Sequence, residues 1–126
     1  MKKILLIEDE ENERTLYKSE LEKDGYEVLC SSNGIEGCDV LKKEEIDLVI
    51  LDIHMPGMDG IEAIGKILTR KRNMPIIIHT AFPQYKDQFL TWAADAYIMK
   101  SSNLRQLKTK IKELTETKEA REENEQ

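Results

Sequence analysis

The sequence predicts an α/β fold, a doubly wound five-stranded parallel sheet covered on both faces by five helices. Short runs rich in Ile, Leu and Val alternate five times with segments whose apolar residues recur at helical spacing. These strand runs are apolar nearly throughout, as expected of strands that are buried on both faces. The chain of 126 residues fits one domain of ordinary size.

The first strand and helix are predicted within residues 3–25. The run KILLI at 3–7 is the first strand. Leu16, Tyr17 and Leu21 then recur at roughly helical spacing. Gly25 can close this helix, because glycine readily adopts the left-handed conformation of a helix end.

The second unit begins with the strand YEVLCS at 26–31. Asn33 is a suitable cap for the helix that follows, because its side-chain oxygen can accept a backbone N–H from the first turn. The spacing of Ile35, Cys38 and Leu41 predicts that they share one face of this helix.

The third unit contains the strand DLVIL at 47–51, followed by a loop with Pro56, Gly57 and Gly60. These three residues favour a tight loop at the end of the strand. The apolar residues of the third helix recur at helical spacing. They are Ile61, Ile64, Ile67 and Leu68.

The last two strands are MPIIIHTA at 74–81 and AYIMK at 96–100, with a weaker helical pattern between them at 84–93. The fifth helix carries an apolar stripe. Its members are Leu104, Leu107, Ile111 and Leu114. We expect a domain at 1–114 and a charged tail at 115–126, which either extends the last helix or forms a solvated tail or linker.

Charge and composition limit the classes of function. The net charge of −6 argues against a nucleic-acid or anionic-membrane surface. Two cysteines, Cys30 and Cys38, are too few for a disulfide scaffold, and no apolar run is long enough for a secretory or membrane-spanning segment. We therefore expect a reduced, cytoplasmic protein.

Polar residues follow the predicted strands at their carboxyl ends. Glu8 and Asp9 follow the first strand, and Asp52 follows the third. Ligands of open parallel sheets bind at this edge. If the first and third strands are neighbours, these carboxylates meet, and two of them about 4 Å apart repel by about 4 kcal/mol at an effective dielectric of 20. Such a cluster must bind a cation or raise a pKa.

The remaining strand ends complete a site for a metal and an anion. Thr80 ends the fourth strand and offers a hydroxyl, and Lys100 ends the fifth and offers a positive charge. Oxygen ligands in small number suit Mg²⁺, which commonly has a phosphate as a further partner. The combination suits a phosphoryl group placed on Asp52.

These motifs resemble one family. EDE after the first strand, DIHMPGMDG after the third, TA at the end of the fourth and YIMK in the fifth are similar to the receiver domain of response regulators in two-component signalling. The resemblance covers roughly residues 3–114. It implies a flavodoxin-like sheet with strand order 2-1-3-4-5, which places the first and third strands side by side.

The resemblance also implies a role for each acidic residue. Asp52 would be the phosphoacceptor, receiving its phosphoryl group from a phosphohistidine of a sensor histidine kinase or a phosphotransfer protein. Mg²⁺ would be bound by the side chains of Asp9 and Asp52, by the backbone carbonyl of His54, and by Glu8 through water. The chain would not otherwise be an enzyme, beyond self-catalysed phosphotransfer and autodephosphorylation.

The family's switch residues match three further positions. Thr80 and Lys100 would bind phosphoryl oxygens, and Tyr97 stands where the family carries its switch aromatic residue. Phosphorylation would then alter the face formed by the fourth helix, the fifth strand and the fifth helix, which would contact a downstream effector protein or domain. Dimerisation through the fourth and fifth helices is common in the family, so a second copy of the chain is a further candidate partner.

One departure from the family follows the lysine, where Ser101 stands in place of the usual proline. A cis bond before a residue other than proline costs about 3–4 kcal/mol, so we predict a trans Lys100–Ser101 peptide. His54 and Phe82 occupy positions that tune hydrolysis of the acyl phosphate in the family. His54 either steers water at the site or is an exposed loop residue, and both alternatives stay open.

Three other kinds of site are weakly supported. The segment GIEAIGKI lacks the Ser or Thr that ends a phosphate-binding loop. An aspartyl phosphatase needs a second Asp where His54 stands. The four His and Cys residues have no metal-ligand spacing, and His79 suits packing better. The stronger alternative is a receiver-like protein-binding module that works without phosphorylation.

Overall fold

The structure, a computed structural model, describes residues 1–52, 62, 65–67, 73–87 and 94–125, with side chains as far as Glu116. The strands are β1 (Lys3–Ile7), β2 (Glu27–Ser31), β3 (Leu48–Leu51), β4 (Ile76–Thr80) and β5 (Ala96–Met99). The helices described in full are α1 (Glu11–Lys23), α2 (Gly34–Lys43) and α3 (Arg105–Glu125). Here α3 is the predicted fifth helix, and most of the predicted third and fourth helices lies outside the described residues.

The five strands form one parallel sheet with the order β2-β1-β3-β4-β5, which confirms the predicted fold class and strand order. Ile7 pairs with Leu51, so the first residues beyond β1 and β3 stand side by side. Thr80 pairs with Met99 at the carboxyl ends of β4 and β5. The register therefore brings the four polar strand ends to one edge of the sheet.

Two apolar clusters pack on opposite faces of the sheet, because alternate residues of a strand point to opposite sides. Leu5, Ile7, Val49 and Leu51 belong to one cluster. Ile4, Leu6, Leu48 and Ile50 belong to the other. This double burial explains why the central parts of the strands are apolar.

The ends of the first two helices follow their sequence signals. The Asn33 side chain accepts a hydrogen bond from the backbone N–H of Glu36 at 2.9 Å, which confirms the predicted cap of α2. Gly25, just beyond α1, has a φ of 93°, and its backbone N–H donates to the Glu22 carbonyl at 3.1 Å. This left-handed residue ends the first unit as predicted.

Two apolar residues lie off the buried faces of these helices. Ile35 is 69% exposed, so the prediction that it shares a face with Cys38 and Leu41 is wrong. The reason is Gly37, where an added Cβ would lie 2.6 Å from the Ile7 side chain. This close approach places Gly37 on the buried face, and Ile35, two positions earlier, lies roughly 160° around the helix from Gly37. Leu16 of α1 is likewise 53% exposed.

Helix α3 continues from Arg105 to Glu125, through the residues predicted as a charged tail. Leu107 and Ile111 are buried against the sheet, while Leu104 and Leu114 are partly buried. The boundary between domain and tail stays a prediction. Within the described part of the chain, no helix is both long enough and apolar enough to cross a membrane.

Candidate functional site at the carboxyl edge of the sheet

Backbone hydrogen bonds fix the three charged residues that follow β1, β3 and β5. The N–H groups of Glu8 and Asp52 donate to the carbonyls of Ser31 and Ile7, each at 3.0 Å. The N–H of Lys100 donates to the Thr80 carbonyl at 2.7 Å. These bonds extend the parallel ladder one residue beyond each strand, so the sheet sets the backbone positions of the charged groups.

The ammonium group of Lys100 lies among three carboxylates. Its Nζ donates to Glu8 Oε1 at 2.6 Å, to Asp52 Oδ2 at 2.8 Å and to Glu13 Oε2. The Glu8 and Asp52 side chains are only 1% and 4% exposed. The Lys100 Nζ also lies 6.0 Å from the centre of the Tyr17 ring. The structure thus brings together Glu8, Asp52 and Lys100, as the sequence predicted.

Glu13 is a member of this cluster that the sequence reasoning missed. It lies in the first turn of α1, close to the carboxyl end of β1. An acidic residue in a first helical turn is common because it interacts favourably with the helix dipole, so its presence there carries no distinct signal. Only the placement of α1 against the sheet edge directs the Glu13 carboxylate to Lys100.

Burial and crowding shift the pKa values of the charged groups. Burial raises the pKa of Glu8 to about 9, assisted by hydrogen bonds with Glu13 and Asp52 and opposed by Lys100. The pKa of Glu13 is lowered by its hydrogen bonds with Glu8 and Lys100. Burial alone would lower the pKa of Lys100, but hydrogen bonds to the three carboxylates outweigh it and raise that pKa. The cluster therefore keeps Lys100 charged.

His79, near the end of β4, is buried beside the cluster. Its ring lies edge-on to Tyr17, with the ring centres 5.0 Å apart, which is the packing role expected from the sequence. Burial, and then the charge of Lys100, lower the pKa of His79 to about 4. His79 is therefore neutral at pH 7.

The carboxylates at this edge are arranged to hold a cation. One oxygen atom from each of Glu8, Glu13 and Asp52 lies within 4.8 Å of the others. Asp52 Oδ1 is buried and has no hydrogen-bond partner in the part of the chain that the structure describes. A buried carboxylate oxygen without a partner is costly, so this atom is suited to a ligand. Hard oxygen ligands of this kind suit Mg²⁺.

Two predicted metal ligands are not part of the group of three that the described residues form. Asp9 is exposed, and the carboxylate group of three does not include it. His54 lies outside the described residues. The roles of Asp9 and of the His54 carbonyl as metal ligands stay predictions.

The predicted switch residues meet at the backbone of Phe82. Thr80 Oγ1 accepts a hydrogen bond from the Phe82 N–H at 3.2 Å, and the Tyr97 hydroxyl donates to the Phe82 carbonyl. Thr80 and Tyr97 are both buried. The loop after β4 is thus bonded at one residue to both predicted switch side chains.

The peptide that follows the lysine is trans, as predicted from Ser101. The Ser101 hydroxyl donates to the Asn103 carbonyl at 2.7 Å and accepts the Asn103 N–H at 3.2 Å. These local bonds order the turn that leads from β5 into α3.

The sequence model of the response regulator receiver domain family matches residues 4–112 of the chain. Among curated proteins, the alkaline phosphatase synthesis transcriptional regulatory protein PhoP of Bacillus subtilis strain 168 is 35% identical over 113 residues. That match covers 88% of this chain and 47% of PhoP. The chain therefore spans about half the length of this relative.

Solved structures agree with these matches. The response regulator TrrA of Thermotoga maritima, in complex with Mg²⁺–BeF, is 45% identical over 90% of this chain and 99% of its own, with a TM-score of 0.84. TrrA in complex with the histidine kinase ThkA is 45% identical over 90% and 98% of the two chains, with a TM-score of 0.81. A CheY-like receiver domain from Methanospirillum hungatei JF-1 is 33% identical over 96% and 98%, with a TM-score of 0.87.

The family match, the sheet order and the clustered residues at its carboxyl edge agree with one another. They confirm the resemblance found in the motifs. The chain belongs to the response regulator receiver domain family, a class of signalling domain.

Proposed function

We propose that this receiver domain takes a phosphoryl group from a phosphohistidine of a sensor histidine kinase, or of a phosphotransfer protein, onto Asp52. The environment of Asp52 is the main support. Its side chain is nearly fully buried, Lys100 binds Oδ2, and Oδ1 has no partner among the described residues. A carboxylate held in one orientation with one oxygen available is suited to act as a nucleophile.

The transfer exchanges one bond of phosphorus for another. A lone pair of Asp52 Oδ1 forms the new O–P bond while the P–N bond to the donor imidazole breaks. The leaving nitrogen keeps the electron pair of that bond and takes up a proton. Lys100 remains charged beside the reacting oxygen atoms and offsets the negative charge that they carry, and such positioning and charge compensation are the protein's main contributions to phosphoryl transfer.

We infer that Mg²⁺ assists this transfer, because TrrA was solved with Mg²⁺–BeF and the carboxylates here fit a hard cation. Asp52 and Asp9 would bind it directly, with the His54 carbonyl, and Glu8 would bind it through water. When bound, Mg²⁺ neutralises negative charge on the phosphoryl oxygens. The His54 side chain would either steer water at the acyl phosphate or lie exposed in the loop with no role, and the rate of dephosphorylation of His54→Ala separates the two alternatives.

Phosphorylation would change the effector-binding face by altering the hydrogen bonds of the Phe82 backbone with Thr80 and Tyr97. When the Thr80 hydroxyl turns to a phosphoryl oxygen, it gives up the Phe82 N–H, and the Phe82 carbonyl bonded by Tyr97 moves with the same loop. We propose that this shift changes the face formed by the predicted fourth helix, β5 and α3. That face would dock an effector protein or domain, or a second copy of the chain.

The proposed setting is the cytoplasm, in agreement with the low cysteine content. The domain itself would not bind nucleic acid. Its chemistry would be limited to self-catalysed phosphotransfer and autodephosphorylation at Asp52. A TrrA–ThkA complex among the similar structures supports a histidine kinase as the partner.

Intact-mass measurement after incubation with acetyl phosphate and Mg²⁺ tests the proposal. We expect one added phosphoryl group on the wild type and on the control variant Asp39→Asn, which removes an exposed carboxylate from α2. We expect no adduct on Asp52→Asn. An adduct on Asp52→Asn would refute the assignment of the acceptor. No adduct on a folded, Mg²⁺-treated wild type would instead support a binding module that works without phosphorylation.

A further inference from the structure

Lys100 has no spare hydrogen-bond donor in this structure. A lysine ammonium group carries three N–H donors. Glu8, Asp52 and Glu13 each accept from Lys100 Nζ, so three carboxylates match three donors. A phosphoryl oxygen can therefore bind Lys100 only after one of these carboxylates gives up its hydrogen bond.

The three carboxylates differ in how easily they can give up their hydrogen bond to Lys100. The Asp52 side chain is only 4% exposed, so it would become a buried charge without Lys100, and the Glu8 side chain, 1% exposed, has no access to water that could replace Lys100. The Glu13 side chain is 37% exposed. Its carboxylate can exchange Lys100 for water, which makes Glu13 the residue that an incoming anion displaces.

The role of Glu13 is separable from the start of its helix. The N–H of Glu13 is already capped by the Glu10 side chain at 2.7 Å, and that cap uses only the backbone of Glu13. Glu11, in the same first turn, is exposed and supplies the same charge to the helix dipole. The contact with Lys100 distinguishes Glu13 from Glu11.

We propose that Glu13 is a positioning residue that holds Lys100 in the unphosphorylated protein and competes with the phosphoryl group for its ammonium. This inference rests on the proposed phosphorylation of Asp52. A phosphoryl group carries between one and two negative charges. It must displace the Glu13 carboxylate to accept a hydrogen bond from Lys100, and the negative charge of Glu13 also repels it. Glu13 therefore slows the loading of Asp52 and limits spontaneous phosphorylation by small phosphate donors.

The test compares Glu13→Gln with the matched control Glu11→Gln. Mg²⁺ affinity is measured first by calorimetry for each protein, and all later steps use saturating Mg²⁺. We expect Glu13→Gln to be phosphorylated by acetyl phosphate roughly three- to tenfold faster than Glu11→Gln, the range expected for loss of one charged hydrogen bond at a partly exposed site. We expect a similar gain in affinity for BeF₃⁻, which mimics the phosphoryl group without a chemical step.

A second variant separates the contact from the charge. Glu13→Asp keeps the negative charge but shortens the side chain by one methylene, which withdraws it from Lys100. We expect it to behave like Glu13→Gln, and behaviour like the wild type would overturn the role of the contact. Equal rates in Glu13→Gln and Glu11→Gln, or a slower rate in Glu13→Gln, would overturn the competition. If the wild type and Glu11→Gln both take no phosphoryl group, the proposed function itself fails, and the competition fails with it.

Discussion

Acidic residues stand at both edges of the sheet, and the two edges use them in opposite ways. At the amino edge, Asp47 Oδ2 accepts the backbone N–H of Lys3 at 2.8 Å, and Asp95 Oδ2 accepts that of Ile76 at 2.8 Å. Each carboxylate there satisfies the first donor of a neighbouring strand. At the carboxyl edge, Glu8 and Asp52 crowd around one lysine, and Asp52 Oδ1 has no partner among the described residues.

The difference shows that the same residue type stabilises one edge and strains the other. A carboxylate that accepts a strand's first N–H satisfies a backbone group that the sheet leaves open. Carboxylates buried beside one another raise a pKa, as at Glu8, and must be held by the rest of the fold. We therefore expect substitutions at the two edges to differ in both sign and size.

The largest effect should come from Lys100→Met. It leaves the Asp52 carboxylate buried without its cation, so we expect the free energy of unfolding to fall by about 3–5 kcal/mol. Denaturant unfolding without Mg²⁺ measures the change. Lys108→Met is the matched control, because Lys108 pairs with Glu20 and Asp24 in a partly exposed site. We expect its loss to stay below about 1 kcal/mol, and equal losses would contradict the comparison.

The next largest effect is a pH dependence of the free energy of unfolding, which comes from His79 near the carboxyl end of β4. Its pKa is lowered to about 4 in the folded protein, so between pH 6.5 and 4 the unfolded chain binds a proton that the folded chain does not. Stability therefore falls with falling pH in this window, by about 3 kcal/mol from His79 alone. His79→Phe keeps a ring beside Tyr17 and should lack this component. Parallel pH profiles for the two proteins would contradict the assignment.

A smaller effect of opposite sign should come from Glu8→Gln. Because ionising Glu8 in its buried site is unfavourable, we expect the metal-free protein at pH 7 to become more stable by about 1–2 kcal/mol. The same change should weaken Mg²⁺ binding in calorimetric titration. A variant that loses stability without Mg²⁺ would show that Glu8 supports the fold rather than straining it.

The smallest effect should come from Asp95→Ala at the amino edge. It removes the acceptor for the Ile76 N–H, but Asp95 is exposed and water can take its place. We expect a loss of about 0.5–1 kcal/mol in the free energy of unfolding and no change in phosphorylation. A gain in stability would place Asp95 with the strained carboxylates of the opposite edge.

The sequence alone determined the order of the elements and the residues at the strand ends. Apolar runs typical of strands buried on both faces predicted the parallel sheet. The positions of Asp52, Thr80 and Lys100 at the ends of three strands predicted that they lie together at one edge of the sheet. These features can be predicted because apolar strand runs and the residues that follow them are local properties of the sequence. The strand order itself came from the resemblance to receiver domains.

The tertiary structure decided which helical side chains reach the sheet. Ile35 is exposed because the helix rotates to place Gly37 against Ile7, and Glu13 joins the cluster because α1 packs beside the end of β1. Glu13 and Lys100 stand 87 positions apart, and no local pattern encodes their contact. A helix can satisfy its own hydrogen bonds at any rotation about its axis, so only packing against the sheet selects the rotation and thereby the third carboxylate on Lys100.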